Sequence, residues 1–249
     1  MKEFFVGYLP TIPPGIARAL RRAVIGILLG TIAAAIVLAV SQHRFPPSAF
    51  EYGNVRSFEG LIEESPYPAL LVKRPGVVQS ADQYSRYLLV GAGKHGADIA
   101  GLAGKYVELR GMLIYRGHET LIELVPGSLQ AMDGALYTPS TPADLGAVTL
   151  TGEIVDSKCY FGVMNPGAGK VHRDCAARCL RGGIPPAFIA IDPEGRSRVY
   201  MLANKDGGKI PAEWAAGHAA RPITLHGQLM RSGDTETLYA DLGSVHVQP

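Results

Sequence analysis

Cys159, His172, Cys175 and Cys179 put three thiols and one imidazole within 21 positions of a 249-residue chain that has no other cysteine. The segment reads Asp156-Ser157-Lys158-Cys159, then Lys170-Val171-His172-Arg173-Asp174-Cys175-Ala176-Ala177-Arg178-Cys179. A helix over residues 171–181 carries His172, Cys175 and Cys179 at i, i+3 and i+7, on one face. Cys159 then arrives from a glycine-rich loop, residues 160–170, to complete the set. Three sulfurs and an imidazole suit a soft or borderline metal ion. Zinc would be four-coordinate and structural. Copper suits a thiolate-rich site outside the cytoplasm, with Met164 as an extra soft ligand. An iron–sulfur centre fits less well, because it would require export of the loaded protein.

Two other readings of the same residues stay open. Cys159 could pair with Cys175 or Cys179 in a disulfide that staples a structural or interaction module, leaving one thiol over. A Cys175–Cys179 bond, four apart on a helix, would be strained. Alternatively the thiols act in a redox switch or thiol oxidoreductase, with Lys158, Lys170 or His172 lowering a thiol pKa. The Cys-x-x-x-Cys spacing is not that of thioredoxin, and no βαβ pattern surrounds it. No Ser/His/Asp order or carboxylate pair stands out, so the reading leans away from an enzyme. Gly91-Ala92-Gly93-Lys94-His95-Gly96 lacks full phosphate-loop spacing and the Ser/Thr after the lysine, so it reads as the turn after a strand. His118 and His226 read as strand or turn residues, and Trp214 as a contact between a helix and a core.

The elements that position these residues begin with a membrane segment. Residues 23–40 are apolar except for Thr31. At about 1.5 Å per residue, such a helix spans roughly the bilayer's hydrocarbon thickness. Arg18, Arg21 and Arg22 precede it, which predicts a cytoplasmic tail over 1–22, a transmembrane anchor over 23–41 and a periplasmic remainder at a bacterial inner membrane. The alternative is a cleaved signal, with Ala39-Val40-Ser41 at the cleavage site, but the segment is long for one. Arg21-Arg22 is a weak twin-arginine match. Phe4, Phe5, Tyr8 and Leu9 read as a short interfacial tail. The chain's net charge is +2; residues 1–22 hold +3, which leaves −1 outside. That balance argues against nucleic acid as a partner.

The exported part repeats itself. Val107-Glu108-Leu109-Arg110-Gly111-Met112-Leu113 aligns with Ile223-Thr224-Leu225-His226-Gly227-Gln228-Leu229 at an offset of 116 residues. Both segments alternate apolar and polar residues and turn at a glycine, a hairpin pattern. Phe58 to Glu64 resembles Leu150 to Asp156, Pro68-Ala69-Leu70-Leu71 resembles Pro186-Ala187-Phe188-Ile189, and Tyr87-Leu88-Leu89-Val90 resembles Tyr200-Met201-Leu202-Ala203. Each copy adds a short helical segment, residues 98–105 and 211–219. The expected fold is mainly β: two tandem small barrels of the OB type, over 55–130 and 148–249, joined by a linker at 131–147. A β-sandwich and one fused barrel are the alternatives. The spacing from Gly60 to Ala69 is 9 residues, and from Gly152 to Ala187 it is 35. The extra length is an insertion at about 157–183, and it holds every cysteine.

Gly152-Glu153-Ile154-Val155-Asp156-Ser157-Lys158-Cys159, His172-Arg173-Asp174-Cys175-Ala176-Ala177-Arg178-Cys179 and Gly182-Gly183-Ile184-Pro185-Pro186 together resemble a family of uncharacterised bacterial exported proteins. That family carries an Asp-Ser-x-Cys … Cys-x-x-x-Cys signature in a small OB-like barrel. The resemblance covers residues 148–249 and implies a fold and an extracytoplasmic location, but no activity. The ligand types are also similar to those of copper-delivery proteins of cytochrome oxidase assembly, whose thioredoxin-like fold this chain lacks. The expected function is a membrane-anchored periplasmic accessory subunit or metal-handling factor of a membrane redox or respiratory complex.

Overall fold

A computed structural model of the protein describes residues 11–42, 48–75, 83–99, 101–134, 141–192 and 194–248. Phe4, Phe5, Tyr8 and Leu9, and residues 135–140 of the expected linker, lie outside them. The chain divides into two compact units between Pro46 and Pro47.

The first unit is one helix, α1 (Pro14–Gln42). Pro14 suits a first helical position, where its missing N–H costs nothing. The helix starts nine residues before the apolar run and carries Arg18, Arg21 and Arg22 within its own first turns. Its hydroxyls, Thr31 and Ser41, donate to the carbonyls of Leu28 and Leu38, so neither is left unpaired in an apolar surround. The helix is long and apolar enough to cross a membrane.

The second unit contains two closed five-stranded barrels in tandem, together with shorter strands. The first barrel runs β2 (Arg56–Glu63), β3 (Ala69–Lys73), β4 (Tyr84–Val90), β5 (Tyr106–Arg116) and β6 (Glu119–Leu124). The short β1 (Ser48–Phe50) and β7 (Gln130–Ala131) pair onto β5. The second barrel runs β8 (Ala143–Asp156), β9 (Pro186–Ile191), β10 (Ser197–Asn204), β11 (Ile223–Ser232) and β12 (Thr235–Ala240), with β13 (His246–Val247) on β11. The closed order is β2-β3-β4-β6-β5 in the first and β8-β9-β10-β12-β11 in the second. Within each ring every pairing is antiparallel except the third strand with the last, β4 with β6 and β10 with β12. That is the OB arrangement.

The repeat holds at the level of register. Gly60 pairs with Val107 as Gly152 pairs with Ile223, and Gly111 pairs with Leu124 as Gly227 pairs with Ala240. The glycines are there because neighbouring strands come too close for a side chain. A Cβ on Gly60 would lie 2.4 Å from the Leu71 carbonyl oxygen, and one on Gly152 only 1.9 Å from that of Ile189.

The copies differ in their connections. Residues 211–219 contain the expected helix, α3 (Ala212–His218). Within 98–105, expected to be helical, residues 101–105 instead form turns. Gly101 and Gly104 take φ of +70° and +74° there, which no right-handed helix accommodates. The inserted segment forms a π-helical turn (Cys159–Val163), a 3-10 turn (Lys170–His172) and α2 (Arg173–Arg181). Residues 160–170 are therefore not all loop, and the helix opens just after His172 rather than at Val171.

Each barrel has its own core: Ile62, Leu89, Leu109 and Ile122 in the first, Ile154, Phe188, Leu202 and Leu225 in the second. A third cluster joins them. Leu88, Ile114 and Leu121 of the first barrel and Val155, Ala187 and Met201 of the second pack with Cys159, Phe161, Cys179 and Ile184 of the insertion. The insertion leaves the second barrel between β8 and β9, as its length predicted, and packs as a shared core between the two barrels.

Candidate metal centre

Asp156 ends β8 with its side chain fully buried. Its Oδ1 accepts the Cys159 N–H at 2.8 Å, the spacing by which an aspartate caps a helical turn. Its Oδ2 lies 3.0 Å from His172 Nε2. One carboxylate therefore positions both the cysteine that precedes α2 and the histidine at its N-terminal boundary. Cys175 and Cys179 follow along α2, and Gly182 stops the helix. A Cβ on Gly182 would lie 1.8 Å from the Lys94 carbonyl oxygen, so the helix end is pressed against the first barrel.

The ligand atoms fall into two overlapping sets. Those of Cys159, His172 and Cys175 lie within 4.8 Å of one another, as do those of Asp156, Cys159 and Cys179. Cys159 belongs to both. All four residues expected from the sequence are therefore brought together, with Asp156 as a fifth. Cys159, His172 and Cys179 are buried, and Cys175 is half-buried. All three cysteines are free, and the Cys159 and Cys179 sulfurs stand 4.0 Å apart, about twice the length of a disulfide bond. Met164, expected as an extra soft ligand, has an exposed side chain.

Two lysines shape the electrostatics, Lys158 and Lys94, and Lys158 does not take the role expected for it. Lys158 is buried against Glu123 at 2.6 Å and donates to the carbonyls of Gly91 and Gly93 at 2.8 and 2.7 Å. It ties down the Gly91–Gly96 turn instead of acting on a thiol. That turn presents Lys94, whose Nζ lies 2.9 Å from Cys175 Sγ and 3.7 Å from Cys179 Sγ. The glycine-rich stretch is a turn after a strand, as its spacing suggested, and it also brings a cation to the sulfurs. Lys94 is itself shifted upward, first by the bond to Cys175. The hydrogen bond with Cys159 lowers the Cys179 thiol to about 7, with help from Lys94 and Cys175 against the cost of burial. The same bond, together with burial and the nearby Asp156, pushes Cys159 upward. The two thiols of this pair are thus shifted in opposite directions.

Asp156 and Lys94 contact the candidate ligands, and spacing did not single them out. Asp156 had a readable signal, an aspartate three residues before the cysteine. Lys94 had none, because it comes from the other barrel. Comparison with known protein families gives no match for this chain, and comparison with curated proteins gives none. The candidate ligands are close enough to hold a metal ion. With Nε2 paired to Asp156, Nδ1 is the nitrogen of His172 that would be left for a metal, the carboxylate–histidine pairing common around bound metals.

Proposed function

We propose that this protein is a membrane-tethered metal-handling factor. Cys159, His172, Cys175 and Cys179 bind one zinc or copper ion, and Asp156 orients His172. α1 holds the centre at the periplasmic face of a bacterial inner membrane, where it serves a membrane redox complex as an accessory subunit. One observation carries the metal reading: two ligand sets, each within 4.8 Å, share Cys159 on elements that independent packing has fixed. The arginines at the start of α1 support the orientation, since Lys/Arg excess marks the cytoplasmic side. The donor set supports the choice of ions.

The test is metal analysis of the full-length protein purified from its own membrane, beside the His172→Ala variant. Wild type should carry about one ion per chain, and the variant much less. Metal-free wild type, or a variant that loads equally well, ends this reading. A reporter fused after Pro249 that is active only in the cytoplasm would sink the orientation.

A second reading, thiol oxidoreductase, is favoured by Lys94 beside two thiols and by the lowered Cys179. Cys159 and Cys179 would join in a disulfide, releasing two electrons and two protons to a substrate disulfide that becomes two thiols. Turnover of a small disulfide by the metal-free protein, lost in Cys179→Ser, would support it.

A further inference from the structure

The five ligand-type residues all come from the second barrel and its insertion, yet the cation at the sulfurs comes from the first. Lys94 Nζ reaches Cys175 and Cys179, which belong to different ligand sets. The turn that carries it is held on three sides. Gly91 N–H donates to the His95 carbonyl at 2.9 Å, Gly96 N–H donates to the Gly182 carbonyl at 2.8 Å, and Lys158 grips the carbonyls of Gly91 and Gly93. The neighbouring cations are engaged elsewhere: Lys158 with Glu123, Arg173 with the Ala220 carbonyl, Arg116 with the Tyr160 carbonyl and ring.

Charge makes the placement consequential. Three thiolates and the Asp156 carboxylate outweigh a divalent ion by two negative charges. Uncompensated charge in a buried centre is costly, and Lys94 removes half of the excess. Exposure adds a second point. Cys159, His172, Cys179 and Asp156 are buried, whereas Cys175 is half-buried and Lys94 is exposed above it. Solvent, a chelator or an acceptor thiol meets the centre at Cys175, and an N–H···S bond there lowers the basicity of that sulfur, so that it resists the protonation that would release it.

We propose that Lys94 is the outer positioning residue of the metal centre, guarding Cys175 as the ligand through which the ion is exchanged. The first barrel, which has no cysteine, thereby takes part in metal handling. This rests on the metal reading above.

The test uses the full-length chain in detergent, loaded with zinc or with cobalt(II), as wild type, Lys94→Met and Lys94→Arg. Transfer of zinc to a chromophoric chelator gives both affinity and rate. Lys94→Met should weaken binding by about 10-fold, in the range for loss of an outer-shell partner, and should speed transfer. It should also shift the cobalt–thiolate charge-transfer band, which a merely structural role would leave in place. Lys94→Arg should restore most of both. Wild-type affinity, rate and spectrum in Lys94→Met would overturn the proposal. A wild-type protein that takes up neither ion sinks the metal reading and this proposal with it. That outcome is distinct from a loaded wild type indifferent to Lys94.

Discussion

Asp156 Oδ2 and His172 Nε2 lie 3.0 Å apart, and both side chains are buried. The other carboxylate oxygen accepts the Cys159 N–H. A single side chain thus sets the orientation of two candidate ligands on different elements, and breaking it has consequences that can be measured.

Asp156→Asn keeps the size of the side chain but removes the carboxylate that holds the His172 N–H. Zinc affinity should fall by about 10–100-fold, as for other residues that orient a metal-bound histidine. Chelator competition on the full-length protein reads this out. An unchanged affinity would show that Asp156 serves the fold alone.

Cys159 is common to both ligand sets, whereas Cys175 and Cys179 each belong to one. Cys159→Ser should therefore abolish stable zinc binding, while Cys175→Ser and Cys179→Ser should each retain a weaker site. Equal losses in all three would contradict the shared-ligand geometry.

The lowered Cys179 thiol has a pH signature in the reduced, metal-free protein. Its folded pKa, about 7, is below the ordinary value of 9.0, so the unfolded chain binds more protons between them. The contribution to stability is present above the ordinary value and is lost as pH falls from about 9 through 7. Raised Cys159 acts in the opposite direction, but only above its ordinary pKa. Melting temperature should thus rise from pH 7 to 9 in wild type and stay flatter in Cys179→Ser. Parallel curves would rule this out.

Lys158 and Glu123 form an ion pair between the insertion and β6 with little solvent on either side. Lys158→Met leaves the Glu123 carboxylate buried without its partner and should cost about 3–5 kcal/mol. Adding Glu123→Leu should recover much of that loss, because removing both charges also removes the desolvation penalty. Thermal unfolding of the single and double variants is the check. A double variant no better than the single would mean that the Lys158 bonds to Gly91 and Gly93 dominate.

Much of the scaffold was legible locally. The apolar run before Ser41 reads as a membrane-length helix because composition and length alone decide that property. The two barrels were legible because hairpin alternation at Val107–Leu113 and Ile223–Leu229 recurs with one offset, and duplicated sequence carries duplicated register, as Gly111 and Gly227 show. Cys175 and Cys179 were legible because helical spacing puts them on one face of α2, and the same spacing pointed to His172, which sits in the 3-10 turn just before the helix. Local pattern misjudged residues 98–105, where glycines at positive φ won over an apparent helical period.

Only the tertiary structure decided what surrounds the cysteines. Lys94 is 81 residues from Cys175, and no periodicity links a turn of one barrel to a helix inserted in the other. Lys158, beside Cys159 in the chain, was claimed by Glu123 and the turn at Gly91 because a buried ammonium must find a carboxylate and carbonyls before anything else. Side-chain chemistry and spacing determined that a thiol and imidazole cluster would form. Packing of the two barrels around the insertion determined which charges it meets and which sulfur faces the solvent.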